Sequence, residues 1–343
     1  MRGIVATRGA HARRRLLLQG LGAVPVIAIV GTDSVASERS PIRPRIALIG
    51  DIPYSRYEEQ RLLALWQQVR DEVDLVIHVG DIKSGIESCA DELISRRIAL
   101  LQQCPCPLIL VPGDNEWTDC NRVLAGEFDP FERLDWLRRH VFLRTAALGA
   151  AWPSAWSPPQ RQSDGDGLGL PENLYWEAGD VGFVTLNVPG SNHGLNASGI
   201  DDRSLQIIRQ ANERWMQRGF ERATSSRLRT LVIALHADMG FEREHHPSML
   251  KPGRKNARPD EEDGYARFRR QLIDLSDLWP GDVLLLNGDS HRYRLDRLTA
   301  RLTRVQCFGS PFHASWVRLE RRPEGREAFS IEIRPIDANL VNG

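Results

Sequence analysis

The sequence predicts an α/β fold of four layers, an αββα sandwich in which two β-sheets pack face to face between outer helices. Three observations lead to this prediction. Apolar runs and helical segments alternate as β-α-β-α-β across residues 45–112, which implies parallel strands joined by right-handed crossovers. A second alternation of strands and helices follows across residues 174–287. The chain then ends in short apolar runs that are typical of strands.

The first half of the sandwich is predicted from five segments. Each predicted strand is a short apolar run that ends at glycine or proline, and each predicted helix has apolar residues at helical spacing. In chain order they are a strand at 45–50, a helix at 57–69, a strand at 75–80, a helix at 89–103 and a strand at 108–112. Residues 153–171 are rich in Pro, Ser, Gly and Asp and are predicted to be a surface loop.

The second half is predicted on the same grounds. Its elements are a hairpin at 174–178 and 181–187, a helix at 201–222, a strand at 230–235, a helix at 265–278, a strand at 283–287, and short strands at 305–308, 316–321 and 329–334. The polar segment 237–263 is predicted to be a loop. Because no repeat or linker interrupts this order, residues 37–343 are predicted to form a single domain.

The first 36 residues have the three-part pattern of an export signal. Three arginines at positions 13–15 precede an apolar run at 16–30, and Ser34-Val35-Ala36 offers small residues for cleavage. The arginines followed by two leucines also resemble a twin-arginine leader. The alternative is an uncleaved membrane anchor, but the run is shorter than the ~20 residues a spanning helix needs. We therefore expect removal of residues 1–36, an exported protein (periplasmic or extracellular), and no stable membrane span after cleavage.

The charge balance argues against nucleic acid as a partner. The chain has 45 basic and 45 acidic side chains, and residues 1–36 contain five arginines and one aspartate. The mature chain therefore has 40 basic and 44 acidic side chains, so it lacks the basic surface that nucleic-acid binding requires.

The five cysteines predict one disulfide. No C-x-x-C or Cys/His spacing typical of a zinc site is present. Cys89 and Cys120 lie shortly after two neighbouring predicted strand ends, and an oxidising compartment would permit a bond between them. Cys104, Cys106 and Cys307 are predicted to be buried free thiols.

The most informative pattern is a strand, a glycine and then an aspartate. It occurs four times, at Asp51, Asp81, Asp114 and Asp289, and each aspartate follows a predicted strand. His236 ends another strand, and His291 lies two residues after Asp289. Ligands gather at the carboxyl ends of strands in an α/β sheet. Carboxylates crowded there would repel one another unless cations lie between them, so the pattern predicts a metal centre.

This set resembles the calcineurin-like metallophosphoesterases, whose motifs read D-x-H, G-D, G-N-H-[DE], a lone His and G-H-x-H. The corresponding positions here are Asp51-Ile52-Pro53, Gly80-Asp81, Gly113-Asp114-Asn115-Glu116, His236 and Gly288-Asp289-Ser290-His291. The residues that surround these motifs are similar to those of a divergent bacterial branch of that superfamily. The resemblance covers residues 45–295 and implies the αββα sandwich of that superfamily.

The resemblance also implies roles for these residues. Asp51 and His291 would bind a first metal ion, Asp81 would bridge two ions, and Asp114, His236 and Asp289 would bind the second. Two departures bear on catalysis. Pro53 cannot be a ligand, and Asn115 stands where the family has the histidine that protonates or stabilises the leaving group, although an amide cannot deliver a proton.

The implied chemistry is metal-assisted hydrolysis of a phosphate mono- or diester. Asn115 and Glu116 are the candidate catalytic residues, with Glu116 expected to orient Asn115 or a metal-bound water. Two divalent ions are expected, and a set of four aspartates and two histidines favours Mn²⁺, Mg²⁺ or Fe over Zn²⁺. The expected partner is a small phosphorylated substrate.

Other polar residues are weaker candidates. Tyr54, Lys83 and His193 are candidate substrate contacts, and His193 or the pair His245-His246 would be a replacement for the missing acid. His78 lies within a strand and is predicted to be a hydrogen-bonded core residue.

Two functions remain open from the sequence. The first is the phosphoesterase. The second is a metal-bound, catalytically weak protein that binds phosphorylated ligands or a partner, which Pro53 and Asn115 favour. A nuclease is disfavoured because no groove combines basic and aromatic residues.

Overall fold

The computed structural model describes residues 42–162, 169–197, 200–242, 263–311, 314–322 and 327–340. Every described residue belongs to one compact unit. The predicted export signal lies outside the described residues.

The strands form two sheets. The thirteen strands of the described residues are β1 (Arg45–Ile49), β2 (Leu75–His78), β3 (Pro107–Leu110), β4 (Leu148–Gly149), β5 (Gln160–Arg161), β6 (Leu174–Ala178), β7 (Val181–Thr185), β8 (Thr230–Ala234), β9 (Asp282–Asn287), β10 (Arg294–Arg297), β11 (Leu302–Gln306), β12 (Ser315–Arg321) and β13 (Phe329–Pro335). The first sheet has the order β13-β12-β1-β2-β3-β4, and the second has the order β10-β11-β9-β8-β7-β6-β5.

The helices cover the outer faces of both sheets. They are α1 (Arg56–Val69), α2 (Asp91–Leu101), α3 (Pro130–Leu137), α4 (Asp202–Ser225) and α5 (Ala266–Leu278), with 3₁₀ turns at Thr118–Asn121, Val123–Ala125 and Ala338–Leu340 and a π-turn at Arg138–Phe142. None of the described helices is long and apolar enough to cross a membrane.

Alternation along the strands explains the layers. In β1, Ile46 and Leu48 pack into the core between the sheets, whereas Ala47 and Ile49 pack against α1 and α2. The second sheet has a similar outer core against α4 and α5. Strands buried on both faces read as continuous apolar runs, which is why the sequence predicts them well. The four-layer αββα sandwich is confirmed.

The central strands of both sheets are parallel. Strand β2 pairs in parallel with β1 and β3, and β8 pairs in parallel with β7 and β9. The carboxyl ends of these strands therefore lie together at one edge of each sheet, where the predicted site residues follow.

Two parts of the fold differ from the sequence prediction. For helix α3 the sequence prediction placed Trp136 on a helix but gave no bounds, although Asp129 caps the helix by accepting a hydrogen bond from the Glu132 amide and Pro130 is its first residue, both recognisable start signals. The prediction of a surface loop at 153–171 was wrong in part. Trp156 is buried between the sheets and its ring lies edge-on to Trp152. The free energy gained by burying two large indole rings exceeds the preference of the surrounding polar residues for solvent.

Candidate metal centre

The site is built at the strand ends of both sheets. Asp51 and Asp81 follow β1 and β2 in the first sheet, and Asp114 lies a few residues after β3. His236 follows β8, and Asp289 follows β9, in the second sheet. Four strands and the loop after β3 thus deliver these five side chains to one rim, as the strand-Gly-Asp pattern predicts.

The backbone at this rim is strained. Asp51, Asp81, Asp289 and His291 have φ angles of 54°, 60°, 72° and 61°, in the left-handed region that non-glycine residues rarely adopt. Such strain persists only where the surrounding structure enforces it, and it is concentrated at functional sites.

Two groups of three side chains bring their ligand atoms within 4.8 Å of one another. The first contains Asp51, Asp81 and His236, and the second contains Asp114, His236 and Asp289. Nε2 of His236 lies 3.5 Å from Asp81 Oδ1, 3.4 Å from Asp114 Oδ1 and 4.0 Å from Asp289 Oδ1. His236 is therefore the residue common to both groups.

The two histidines are oriented alike. Nδ1 of His236 lies 2.7 Å from the Val79 carbonyl oxygen, and Nδ1 of His291 is hydrogen-bonded to the Ser310 carbonyl. Each ring therefore donates from Nδ1 to the backbone, which leaves Nε2 as a lone-pair donor facing carboxylates. For His291, Nε2 lies 3.5 Å from Asp51 Oδ1.

These residues fit divalent metal ions. Nε2 of His236 is buried and has no hydrogen-bond partner among the described residues, which is costly unless another ligand satisfies it. Ligands at ~2.0–2.2 Å from one ion lie roughly 3–4.4 Å apart, close to the spacing within both groups. The second group matches the expected ligands of the second ion, whereas in the first group His236 stands where the resemblance implied His291.

The acids carry shifted pKa values. Burial raises the pKa of Asp51 to about 8 and that of Asp289 to about 6. Burial also raises the pKa of Asp81 well above its ordinary value. These three neighbouring carboxylates therefore bind protons more readily than isolated carboxylates do, as expected of a site that binds cations.

Tyr54 and Asn115 both contact Asp81. The Tyr54 hydroxyl donates to Asp81 Oδ2 at 3.0 Å, and Asn115 Nδ2 donates to the same oxygen at 2.5 Å. The Asn115 backbone amide donates to Asp81 Oδ1 at 3.0 Å. Burial raises the pKa of Tyr54 well above its usual value, so the phenol stays protonated as a donor. Both residues therefore orient Asp81.

Glu116 joins two loops of the site. Its carboxylate accepts hydrogen bonds from the backbone amides of Ile82 and Gly113, the latter at 2.9 Å. A Cβ atom at Gly113 would lie 2.0 Å from Asp81 Oδ1, so the two loops can approach this closely only with glycine there. Glu116 therefore joins the loop that carries Asp81 to the loop that carries Asp114.

The other two candidate substrate contacts, Lys83 and His193, are also buried. Lys83 is fully buried, its Nζ donates to the Ser84 carbonyl at 3.0 Å, and burial lowers its pKa. His193 packs against Tyr265 and Phe268, and burial lowers its pKa to about 3. The pair at positions 245 and 246 lies outside the described residues.

His78 is a core residue, as predicted. Gly80 donates its backbone N–H to His78 Nδ1 at 3.2 Å, so Nε2–H donates to the Ile52 carbonyl at 2.8 Å. Burial lowers the pKa of His78 to about 4, so the ring is neutral.

Three residues beside Asp114 were not predicted from the sequence. Ser191 Oγ lies 2.9 Å from Asp114 Oδ2 and 2.9 Å from Asp119 Oδ1, and Asp119 forms an ion pair with Arg122. Ser191 reaches Asp114 because it lies in a left-handed turn (φ 51°) after Gly190, where a Cβ would lie 2.6 Å from Asp114 Oδ2. The segment Pro189-Gly190-Ser191-Asn192 was a usable signal for such a turn.

The cysteines pair in one disulfide among the described residues. Sγ of Cys89 and Sγ of Cys120 lie 1.98 Å apart and form a bond between the two loops that Glu116 also joins. Cys104, Cys106 and Cys307 are buried and free, as predicted.

Comparison with known proteins agrees with this site. The sequence model of the calcineurin-like phosphoesterases matches residues 44–237. No curated protein matches the chain significantly.

Solved structures share the fold. A dimetal phosphatase from Danio rerio is 14% identical, with 87% of this chain and 98% of that chain covered and a TM-score of 0.53. A 5′-nucleotidase from Candida albicans is 12% identical, with 87% of this chain and 53% of that chain covered and a TM-score of 0.50. This chain spans about half of the nucleotidase. Since the family match includes more than half of the sequence, the chain belongs to the calcineurin-like phosphoesterases and is a hydrolase of phosphoester bonds.

Proposed function

We propose that the protein hydrolyses a phosphate mono- or diester at a dinuclear metal centre. The proposed ligands are Asp51, Asp81, Asp114, His236, Asp289 and His291. The observation that carries the proposal is the position of His236 Nε2, which is buried, lacks a hydrogen bond among the described residues, and belongs to both groups of candidate ligands. Because an imidazole nitrogen has one lone pair, Nε2 would bind a single ion, and the Asp81 carboxylate, whose Oδ1 lies 3.5 Å from it, would be the bridge to a second ion.

The chemistry follows from the ligand set. When bound, two divalent ions activate water as a nucleophile and neutralise charge on the phosphoryl group. Four carboxylates and two imidazoles favour Mn²⁺, Mg²⁺ or Fe over Zn²⁺. The protein contributes orientation, because Tyr54 and Asn115 fix Asp81 and Glu116 fixes the two loops.

Asn115 and His193 are not expected to supply a proton to the leaving group. Asn115 cannot deliver a proton, and His193 is buried and neutral, with a pKa of about 3. General acid catalysis is typically worth about 10²–10⁴-fold. The enzyme should therefore cleave aryl phosphates, which have a good leaving group, far better than alkyl phosphates.

The test compares kcat/KM for an aryl and an alkyl phosphate in the metal-loaded protein and two variants. Asn115→His should narrow the gap between the two esters by supplying an acid. Asp81→Asn should abolish turnover of both and lower the bound metal, because it removes a shared carboxylate charge. Equal and efficient turnover of both esters by the unmodified protein would show that another acid acts.

A second function is favoured by one observation. The Asn115 amide is engaged with Asp81, so a catalytically weak protein that binds phosphorylated ligands would also be consistent with this site. Metal-loaded protein that binds phosphate but turns over neither ester would support this second function.

We also propose that the protein is exported as a single mature domain of residues 37–343 and acts on a small phosphorylated substrate. The N-terminal pattern supports export, and the Cys89–Cys120 disulfide is typical of an oxidising compartment. N-terminal sequencing of the exported protein should begin at residue 37, and retention of residues 1–36 would contradict cleavage.

A further inference from the structure

Arg122 lies at the mouth of the candidate metal centre. Its side chain is 50% exposed, while its Nη2 forms an ion pair with the buried carboxylate of Asp119. The same nitrogen lies 3.4 Å from Ser191 Oγ, which is hydrogen-bonded to the candidate ligand Asp114. One hydroxyl therefore separates the guanidinium from the metal centre.

The other edge of the guanidinium faces Asn115. A Cβ atom at Gly85 would lie 2.7 Å from Arg122 Nη1 and 2.9 Å from Asn115 Oδ1. The bare backbone of Gly85 thus lets Nη1 lie within a few ångströms of an amide that contacts Asp81. Arg122 spans the rim from Asp114 to the Asp81 side of the site.

The position of Arg122 is fixed by the loops around it. Cys120 is two residues away and is bonded to Cys89 in the loop that contains Gly85. The buried Asp119 anchors Nη2, while half of the Arg122 side chain remains exposed and accessible to a ligand. Lys83, another cation beside the cluster, is fully buried and donates to Ser84, so it offers no comparable accessible charge.

We propose that Arg122 binds a terminal oxygen of the phosphoryl group and makes the enzyme prefer phosphate monoesters over diesters. The inference rests on the proposed function. A monoester has three terminal oxygens, so two bound cations would hold two of them and would leave the third to Arg122. A diester has only two, so the guanidinium gains no partner. Arginine suits this role because its planar donors match phosphate oxygens.

The experiment uses two esters with the same leaving group, p-nitrophenyl phosphate and bis(p-nitrophenyl) phosphate. In the Mn²⁺-loaded protein, Arg122→Gln should lower kcat/KM for the monoester by about 10- to 100-fold, as expected for loss of a charged hydrogen bond. The diester should change by less than about threefold. Arg122→Lys should recover part of the monoester activity because it keeps the charge.

The matched control is Arg139→Gln. Arg139 is 56% exposed and forms an ion pair with Asp135 at 2.9 Å, on helix α3 and the π-turn that follows it. This variant should change neither ester. Equal losses for both esters in Arg122→Gln, or no loss for either, would overturn the proposed preference.

A binding measurement separates this inference from the proposed hydrolysis. Calorimetry with inorganic phosphate and Mn²⁺-loaded protein should show a Kd about 10- to 100-fold higher in Arg122→Gln than in the unmodified protein or Arg139→Gln. If this shift appears while no ester is hydrolysed, phosphoryl binding by Arg122 stands and the proposed hydrolysis fails. If esters are hydrolysed but phosphate affinity is unchanged, the role of Arg122 is wrong.

Discussion

His236 is surrounded by more negative charge than one imidazole can balance. Its Nε2 lies between oxygens of three aspartates. Burial alone would lower the pKa of His236, but the nearby charges, that of Asp81 first, outweigh burial and raise it. The pKa of Asp51 is also raised, to about 8, by burial. Without metal, protons therefore supply the positive charge that this cluster needs.

Metal binding should release these protons. At pH 7, Asp51 (pKa about 8) is largely protonated in the metal-free protein, and the raised pKa of His236 favours its protonated form, so metal binding competes with protons at both residues. We expect metal affinity to rise as the pH increases through 6–8, with roughly one or more protons released per protein at pH 7. Isothermal titration in buffers of different ionisation enthalpy measures this number. Binding enthalpies that do not depend on the buffer would contradict it.

At the scale of elements, two loops carry two of the proposed ligands and both candidate catalytic residues. The loop after β2 holds Asp81, and the loop after β3 holds Asp114. Glu116 joins them by hydrogen bonds and the Cys89–Cys120 disulfide joins them covalently. Apart from the 3₁₀ turns after Asp114, these loops lack regular structure, so these links take the place of the backbone hydrogen bonds that hold the strands.

Removing the disulfide should destabilise the protein and loosen the site. The bond closes a loop with a sequence separation of 31, for which the chain-entropy model gives about 3–4 kcal/mol. The double variant Cys89→Ala/Cys120→Ala should lose about this much unfolding free energy in urea, and its metal affinity should fall. Cys104→Ala, at a buried free thiol, is the control and should lose much less. Equal losses in both proteins would mean that the bond adds no stability.

The elements also show how far the sequence could predict the site. Asp51, Asp81, Asp114 and Asp289 follow buried strands, and both strand and glycine are visible in the sequence. Ser191 and Arg122 were missed because their positions depend on a left-handed turn and on a hydrogen bond between two residues that are distant in the chain. Local periodicity contains no information on such contacts.

At the scale of the whole molecule, the metal centre connects the two sheets. Asp51 ends a strand of the first sheet, and Asp289 ends a strand of the second. The Asp289 backbone N–H donates to both carboxylate oxygens of Asp51 at 3.1 Å. A ligand bound between these strand ends would therefore stabilise the sandwich itself, since it binds only the folded chain.

Chelation should lower the melting temperature in a pH-dependent way. Because the pKa of Asp51 rises from 3.8 to about 8 on folding without metal, the folded state binds more protons than the unfolded state between these values. The stability of the metal-free protein should thus fall as the pH rises from 6 to 8. Mn²⁺ should raise Tm at both pH values, more at pH 8, and better than Zn²⁺. A Tm at pH 8 that is indifferent to a strong chelator would refute the proposed metal centre.

The contact between Asp51 and Asp289 joins residues separated by 238 positions in the chain. During synthesis, the ribosome makes Asp51, Asp81 and Asp114 first, then His236, and Asp289 and His291 last. A nascent chain therefore presents at most half of the ligand set until His236 is made, and a metal ion captured then would have an incomplete coordination sphere. Complete metal binding at the proposed centre would therefore be a late event in biosynthesis, since it requires that both sheets have been made and joined.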